Sequence, residues 1–562
     1  MTQGRGGWLR LAPRLTLLLM VGPVLAGLAG TLAPAFGLMQ GGPDLEAFRT
    51  LAGWPGLGAS VRLSLGTGLA ATALALAITL MIVALLQGTS AFRLLLRLLS
   101  PLLSVPHAAV ALGLAFLLSP SGWLVRLVAP LAGWTAPPDL LTLNDPAGLA
   151  LTAGLVVKEV PFLLLMMLAA LPQTDAPRRM MVAASLGYGR GLGFVHAVLP
   201  ALYRQIRLPV YAVLAYSMTA VEMAMILGPT RPATLAVQIT AWMMDPALAE
   251  RGRAAAAALL QLGLVAGALL GWRLMEIAAK RALARLALTG RRGARLDAPL
   301  RPLAGMLALL AVAAVALGLA GLGVWSVAGL WQFPDLAPET LTTKTWSRAA
   351  PGLAEASAMT LGLALLAVAV ALGLTLACLE AEARHGLRPT TRALWLLYLP
   401  LIVPQIAFLP GLQGLALLTG AEGTPLAVAA AHVVFVLPYV FLSLAPSFRA
   451  WDGRIAIAGA ALGAGENRIF WRLRLPMLLR PVLTAAAVGM AVSIGQYLPT
   501  LLIGGGRVVT LTTEAVALSS GGNRRIIGAY AILQMALPAL AFAAALGLPA
   551  LAFRHRRGMA VT

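Results

Sequence analysis

Residues 181–200 read MVAASLGYGRGLGFVHAVLP, and residues 457–476 read IAGAALGAGENRIFWRLRLP. Laid over one another at an offset of 276, Gly187 meets Gly463, Gly189 meets Gly465, and Leu199-Pro200 meets Leu475-Pro476. Leu186 with Leu462 and Phe194 with Phe470 match at the same offset. Two further echoes flank this one. Val105-Pro106-His107 with Gly113-Leu114 returns as Val403-Pro404-Gln405 with Gly411-Leu412 at an offset of 298, and Val160-Pro161-Phe162 returns as Leu437-Pro438-Tyr439 at 277. The offsets change with loop length while the order of segments is kept, so the chain is a tandem duplication.

Within each repeated stretch, small and apolar residues stand beside charges: Arg178, Arg179 and Arg190 in the first copy, Arg468, Arg472 and Arg474 in the second. The pattern predicts a short helix, a bend that glycine permits, and a second short segment ended by Pro200 or Pro476. A turn with an apolar face and a basic edge suits a groove on a partner protein.

Outward from these loops the chain is made for a bilayer. Of its 562 residues 60% are hydrophobic and 11% charged, with a mean hydropathy of +0.87, too little polar surface for a soluble domain of this size. A window of about 20 residues, the length a helix needs to cross the hydrocarbon, predicts twelve spans. They fall at 14–36, 61–86, 99–119, 148–171, 208–228 and 255–275, then at 302–325, 358–379, 393–417, 424–445, 480–503 and 528–552. Pro106, Pro161, Pro404 and Pro438 lie inside these windows, where neighbouring helices can re-satisfy the freed carbonyls. The expected fold is an all-α polytopic membrane protein of two six-helix repeats, residues 1–290 and 291–562. Six spans per copy give both halves one orientation, and a substrate path is expected between them. The loops, 178–207 and 449–480, then emerge on one side of the membrane.

The net charge of +22 raises nucleic acid as a partner, and its distribution answers the point. With both termini in the cytoplasm, and with Arg14, Arg62, Arg273 and Arg480 at span ends counted with the adjoining side, 30 of the 42 Lys and Arg lie in cytoplasmic segments, 11 in external ones and Lys158 within a span. That is the positive-inside bias. The densest basic run, Lys280 to Arg301, sits where a linker between halves belongs and fits topology and anionic lipid rather than nucleic acid. The first apolar stretch is longer than a signal peptide core, and 302–325 stands as its uncleaved counterpart, so it is read as a retained helix. Cys378 lies alone in an apolar run and reads as a packing residue. Five histidines, His107, His196, His385, His432 and His555, are scattered without ligand spacing, so no metal centre is expected.

The spacing of Gly, nine residues, an apolar residue, one more and Leu-Pro resembles the cytoplasmic EAA loop of binding-protein-dependent ABC importer permeases. It occurs twice, with Ala197 and Leu473 at the apolar place. Two copies in one chain resemble the fused permeases of ferric-iron and thiamine importers. The stretch from Gln496 to Arg525, QYLPTLLIGGGRVVTLTTEAVALSSGGNRR, is most similar to their YnjC-type relatives. The resemblance implies the fold of a type I ABC importer's transmembrane domain in a bacterial inner membrane. It implies one fused chain per complex, two copies of a separate ATPase subunit that uses ATP and Mg2+, and a solute-binding protein. External segments 37–60, 120–147, 229–254 and 326–357 are expected to dock that protein. The substrate it implies is thiamine-like, ferric iron or another small solute.

Carried over residue by residue, the resemblance assigns ATPase coupling to Ala183, Leu186, Gly187, Gly189, Leu199 and Pro200, and to Ala458, Leu462, Gly463, Gly465, Leu475 and Pro476. The family's Glu-Ala-Ala is here Met181-Val182-Ala183 and Ile457-Ala458-Gly459, so an acidic contact to the ATPase does not carry over. None of the three lysines, Lys158, Lys280 and Lys344, ends a phosphate-binding Gly-x-x-x-x-Gly-Lys-Ser/Thr loop. The chain is therefore expected to be no enzyme and to bind no cofactor of its own. For the path, polar groups inside spans are the pointers, because each is costly in hydrocarbon: Lys158 and Glu159 in the fourth span, Glu222 and Gln496 in the two fifth spans. Sequence neighbours on a helix point about 100° apart, so Lys158 and Glu159 cannot face one ligand together, and a helix-to-helix structural role stands beside substrate contact. A twelve-helix secondary transporter would share the hydropathy but requires no doubled loop. A membrane enzyme would require a convergent catalytic set, and the sequence offers none.

Overall fold

The computed structural model describes residues 8–38, 42–102, 105–387 and 390–553; Arg5, His555 and the two chain ends lie outside them. Among these residues the only β pairing is an isolated bridge, Ala328 to Leu341. Twelve principal helices follow in order: α1 Ala12–Ala35, α2 Leu57–Leu86, α3 His107–Leu118, α4 Leu149–Ala170, α5 Leu199–Thr219, α6 Leu248–Leu288, α7 Ala294–Val327, α8 Lys344–His385, α9 Gln405–Leu418, α10 Pro425–Arg449, α11 Leu479–Ile494 and α12 Arg524–Ala552.

Nine described helices are long and apolar enough to cross a bilayer by themselves, and two more spans exist only as bent pairs. Trp395–Ile402 meets α9 at 87°, and Glu466–Met477 meets α11 at 73°. The twelfth expected span, at 208–228, is less regular than hydropathy suggests. Helix α5 begins with Arg204 and Arg207 in its first turns and ends at Thr219, and a short helix, Glu222–Leu227, resumes after the break. The third window, 99–119, is also displaced: Pro106 caps α3 at its start, and the same chain direction continues through Trp123–Ala132. Pro404 likewise caps α9, so Pro106 and Pro404 start helices and do not lie within them. Of these four prolines, Pro161 and Pro438 alone sit inside helices, α4 and α10.

The leading helix of each half packs on the other half. Helix α1 lies on α9 and α7 on α3, and glycine permits both approaches. A Cβ on Gly113 of α3 would stand 2.8 Å from the Gly318 carbonyl carbon of α7. At the equivalent place Gly411 of α9 presses on Gly27 and Gly30 of α1, and its N–H donates to Thr31 Oγ1 at 3.0 Å. Small residues that let backbones touch are how helices associate where lipid offers no hydrophobic drive. The Gly113-Leu114 and Gly411-Leu412 echo is thus the seat of the exchanged helix. Three buried hydroxyls of α2 are satisfied within the helix, Thr67 to Leu63 O at 2.8 Å, Thr72 to Gly68 O at 2.8 Å and Thr79 to Ala75 O at 2.7 Å, as a dry interior favours. One apolar core joins the two halves through Leu112, Val315, Leu322 and Phe408, and a further core centred on each half takes in the other's leading helix, Ala308 and Val312 in the first and Met20 in the second.

Candidate functional site

The two repeated loops fold alike, residue for residue. Helix Ala176–Ser185 and helix Gly453–Ala461 both end in a left-handed glycine, Gly187 with φ 80° and Gly463 with φ 81°. In both, the following N–H reaches back five residues, Tyr188 to Ala183 O and Ala464 to Gly459 O, each at 3.0 Å. The glycine N–H closes the inner bond, Gly187 to Ala184 O and Gly463 to Ala460 O, each at 2.9 Å. This paired closure uses helix-end carbonyls that would otherwise lack donors, and it requires a residue without a Cβ penalty at positive φ.

After the bend, Gly189 and Gly465 are extended and start one-turn helices, Arg190–Gly193 and Glu466–Ile469. A π-helical turn follows in each, Phe194–Val198 and Phe470–Arg474, and then Leu199 and Leu475 open the next helix. Here the expectation from sequence is corrected for Pro200, which does not end a segment but sits in the first turn of α5; Pro476 stands in a three-residue helix, Leu475–Met477, that ends one residue later, before the 73° bend into α11. Proline has no N–H to give and its ring crowds the carbonyl four residues back. Widening the preceding turn, with Leu199 N–H to Phe194 O and Leu475 N–H to Phe470 O, relieves that conflict.

Both loops present apolar surface. Met181, Val182 and Leu186 are exposed in the first, and Ile457, Leu462 and Trp471 in the second, while Ala183 is buried. Ala458 lies exposed on its loop helix, as do Pro200 and Gly465 on theirs. Where an acidic residue was expected to be missing, Met181 and Ile457 expose about two-thirds of their surface, at 66% and 70%.

What holds the loops differs. The first is clamped by the connection between halves: Gly189 N–H donates to Arg292 O at 2.8 Å. Asp297 at the start of α7 accepts from Arg190 N–H at 2.5 Å and Gly191 N–H at 3.0 Å. The second is held by charges on α8. Glu380 bonds Arg384 at 2.7 Å and also pairs with Arg474, and Arg384 reaches Asn467 Oδ1 at 2.9 Å. Asp452 caps the second loop helix through Arg454 N–H, and hydrogen bonds from Arg454 hold its carboxyl below the ordinary range. Sequence reading missed Asp297, Glu380 and Arg384. Only the Glu380–Arg384 spacing of four, one helix turn, was a visible signal.

Between the halves lies a buried polar cluster. Lys158 Nζ donates to Val105 O at 2.5 Å, the carbonyl left free where the chain breaks before α3. Glu159, 4% exposed, accepts no hydrogen bond among the described residues and lies within electrostatic reach of Tyr216 and of Tyr439 from the second half. The Tyr216 ring lies 4.7 Å from that of His107, tilted by 49°, and its hydroxyl donates to Glu222 Oε1 at 3.1 Å. Glu222 follows the break after α5, and Gln496 lies in the corresponding break after α11, where Tyr497 OH meets Met225 Sδ at 3.4 Å across the halves. The four polar residues expected along the path therefore divide by what they touch: Lys158 donates to a backbone carbonyl, while Glu159 and Glu222 lie within electrostatic reach of Tyr439 and Tyr497 of the second half. Gln496 is buried at the second-half break. Among the described residues no group of three His, Cys, Asp or Glu is placed to hold a metal ion.

A duplicated bundle with exchanged leading helices, two matched loops on one face and a polar seam between halves is the architecture of an importer's membrane subunit. Residues 369–555 match the family described as "Binding-protein-dependent transport system inner membrane component", and the chain belongs to the permeases of binding-protein-dependent ABC importers. It is 34% identical to the inner membrane ABC transporter permease protein YnjC of Escherichia coli K12 over 477 residues, 85% of each chain. Over 145 residues, 24% of this chain and 55% of the relative, it is 32% identical to the molybdenum transport system permease protein ModB of Mycobacterium tuberculosis. It is 24% identical to the spermidine/putrescine permease PotC of Haemophilus influenzae over 154 residues, 27% of this chain and 60% of that one. Membership makes it a multi-pass membrane permease and sets aside the secondary transporter.

Proposed function

We propose that this chain is a fused permease of one importer, with residues 1–290 and 291–562 as its halves. In this reading loops 178–207 and 449–480 each receive one copy of a separate ATPase subunit, and a solute-binding protein docks on the opposite face. The observation that carries it is the pair of glycine-capped loops, whose backbone repeats at an offset of 276, φ 80° at Gly187 and 81° at Gly463. ATP closure in the partner would draw the loops together, and the seam between halves, with Glu159, Tyr216, Glu222 and Tyr439, would open to one side at a time. The termini then lie in the cytoplasm, and ATP with Mg2+ is bound by the partner alone. Exposed Met181 and Ile457 in place of acidic residues favour an apolar seat on the ATPase. As substrate the reading supports a small solute such as a thiamine-like molecule or ferric iron. The names of shorter relatives add molybdenum and polyamines to that range.

The test is uptake into vesicles holding this chain and its ATPase, driven by internal or external ATP as orientation requires. Gly187→Val with Gly463→Val is expected to abolish ATP-driven uptake while leaving the protein inserted. Undiminished uptake by that correctly inserted double variant would overturn the coupling role of the loops.

A further inference from the structure

On the membrane face opposite the two loops lies a pocket of about 570 Å³ whose chemistry the transport reading leaves unused. Its place follows from α7, which starts on the first loop at Asp297 and runs 34 residues to Val327, about 51 Å at 1.5 Å per residue. The pocket sits at that far end, built by the segment after α3, the end of α7 and the start of α12.

Three guanidinium groups converge there, Arg126, Arg524 and Arg525. None takes part in any ion pair among the described residues. Their partners are neutral. Arg126, 3% exposed, donates to the carbonyls of Ser121 at 2.9 Å and Gln332 at 2.6 Å and to that of Asp335. Arg524 donates to Ser121 Oγ at 2.6 Å and Ser119 Oγ at 3.4 Å, and Arg525 to Gly329 O. Arg126 and Arg524 are near enough to repel each other, and the acidic group in reach of Arg126, Asp335, forms no ion pair with it. Aromatic faces complete the walls: Arg126 lies 5.0 Å from the Trp331 ring centre and Arg524 5.3 Å from that of Trp325. A buried charge is retained where it is paired, and clustered cations with aromatic backing and no carboxylate paired to them are arranged for an anion brought from outside.

We infer that this pocket binds a compact oxyanion, a tetrahedral dianion such as sulfate or phosphate or a small carboxylate, between Arg126, Arg524 and Arg525. The ion would tie the first half, through Arg126, to the second, through Arg524 and Arg525, on the face away from the motor.

Titration of the full chain, purified in phospholipid-free detergent, with sodium sulfate at constant ionic strength tests this, read by tryptophan fluorescence and by calorimetry. A saturable response is expected, with Arg524→Gln weakening it by at least about tenfold and Trp331→Phe reducing the fluorescence change without removing the heat. Inorganic phosphate is expected to compete. No saturable signal by either method for sulfate, phosphate and acetate, or equal binding by Arg524→Gln, overturns the assignment. So does binding seen only with vesicles of anionic phosphatidylglycerol, which would make the occupant a headgroup, or only with a protein partner present.

Discussion

A Cβ on Gly189 would stand 2.7 Å from the Cα of Ala294, backbone against backbone, whereas its repeat partner Gly465 has open space on that side. The connection between halves is thus seated on one loop and leaves the other free. Gly189→Ala must push the connection off its seat, a clash of the kind that costs about 1 to 3 kcal/mol. Gly465→Ala, at ordinary φ, is expected to stay within about 0.5 kcal/mol of the parent. Thermal unfolding of the two purified variants compares them directly, and equal midpoints would refute the asymmetry.

Removing Asp297 is expected to free the same loop without touching the membrane bundle. The carboxylate satisfies two N–H groups at the start of a one-turn helix, so Asp297→Ala leaves both donors without their partner. Amide hydrogen exchange is expected to speed up at 189–193 by about tenfold, with the second loop, 465–469, unchanged. Equal protection in parent and variant would count against the clamp.

Glu380 is the corresponding anchor of the second loop. It is 6% exposed on its side chain and shared by Arg384 and Arg474, so Glu380→Gln leaves Arg474 without an ion pair and Arg384 with only the exposed Glu466 at 3.5 Å. Breaking a buried pair from one side costs about 3 to 5 kcal/mol. Trypsin is expected to cut at Arg468, Arg472 or Arg474 in the variant well before it cuts the first loop. A digestion pattern like the parent's would show that the pairs do not hold the loop.

Lys158 and Glu159 are expected to separate by assay. Lys158→Met removes the donor to Val105 O and lowers thermal stability by about 1 to 3 kcal/mol, the usual penalty for an orphaned buried carbonyl. Glu159→Gln keeps the shape, loses no hydrogen bond, and is expected to lower uptake more than about tenfold at unchanged stability. Reversed outcomes would exchange the roles assigned to the two residues.

Gly411→Val and Gly113→Val are expected to prevent the exchanged helices from seating, giving aggregated protein in size-exclusion chromatography. Gly66→Val in α2, where a Cβ meets nothing within 4 Å, provides the matched control and is expected to elute as the parent does.

What the sequence allowed to be read was what is decided locally. The Gly187 and Gly463 bends are set within six residues, so their spacing survives duplication and is visible without a structure. Hydropathy likewise placed most spans, because lipid reads each segment by itself. Partner choice between helices is decided elsewhere, and nothing in the composition of α1 says that it lies on α9. The clamp by Arg292 and Asp297 was illegible for the same reason, since 107 residues separate Asp297 from Arg190. Pro200 was misread because a proline after a helix and a proline in a helix's first turn look the same in one dimension. The breaks that carry Glu222 and Gln496 were hidden inside apolar windows that average over them.

The crossing of α1 onto α9 and of α7 onto α3 makes the two halves a clasp. Neither can swing away without dragging the other's leading segment along, so a tilt that parts them on one face is bound to squeeze them on the other. Severing the peptide between Gly290 and Gly293 would loosen one loop, yet the interlock itself would persist, held by five glycines and not by the covalent tether.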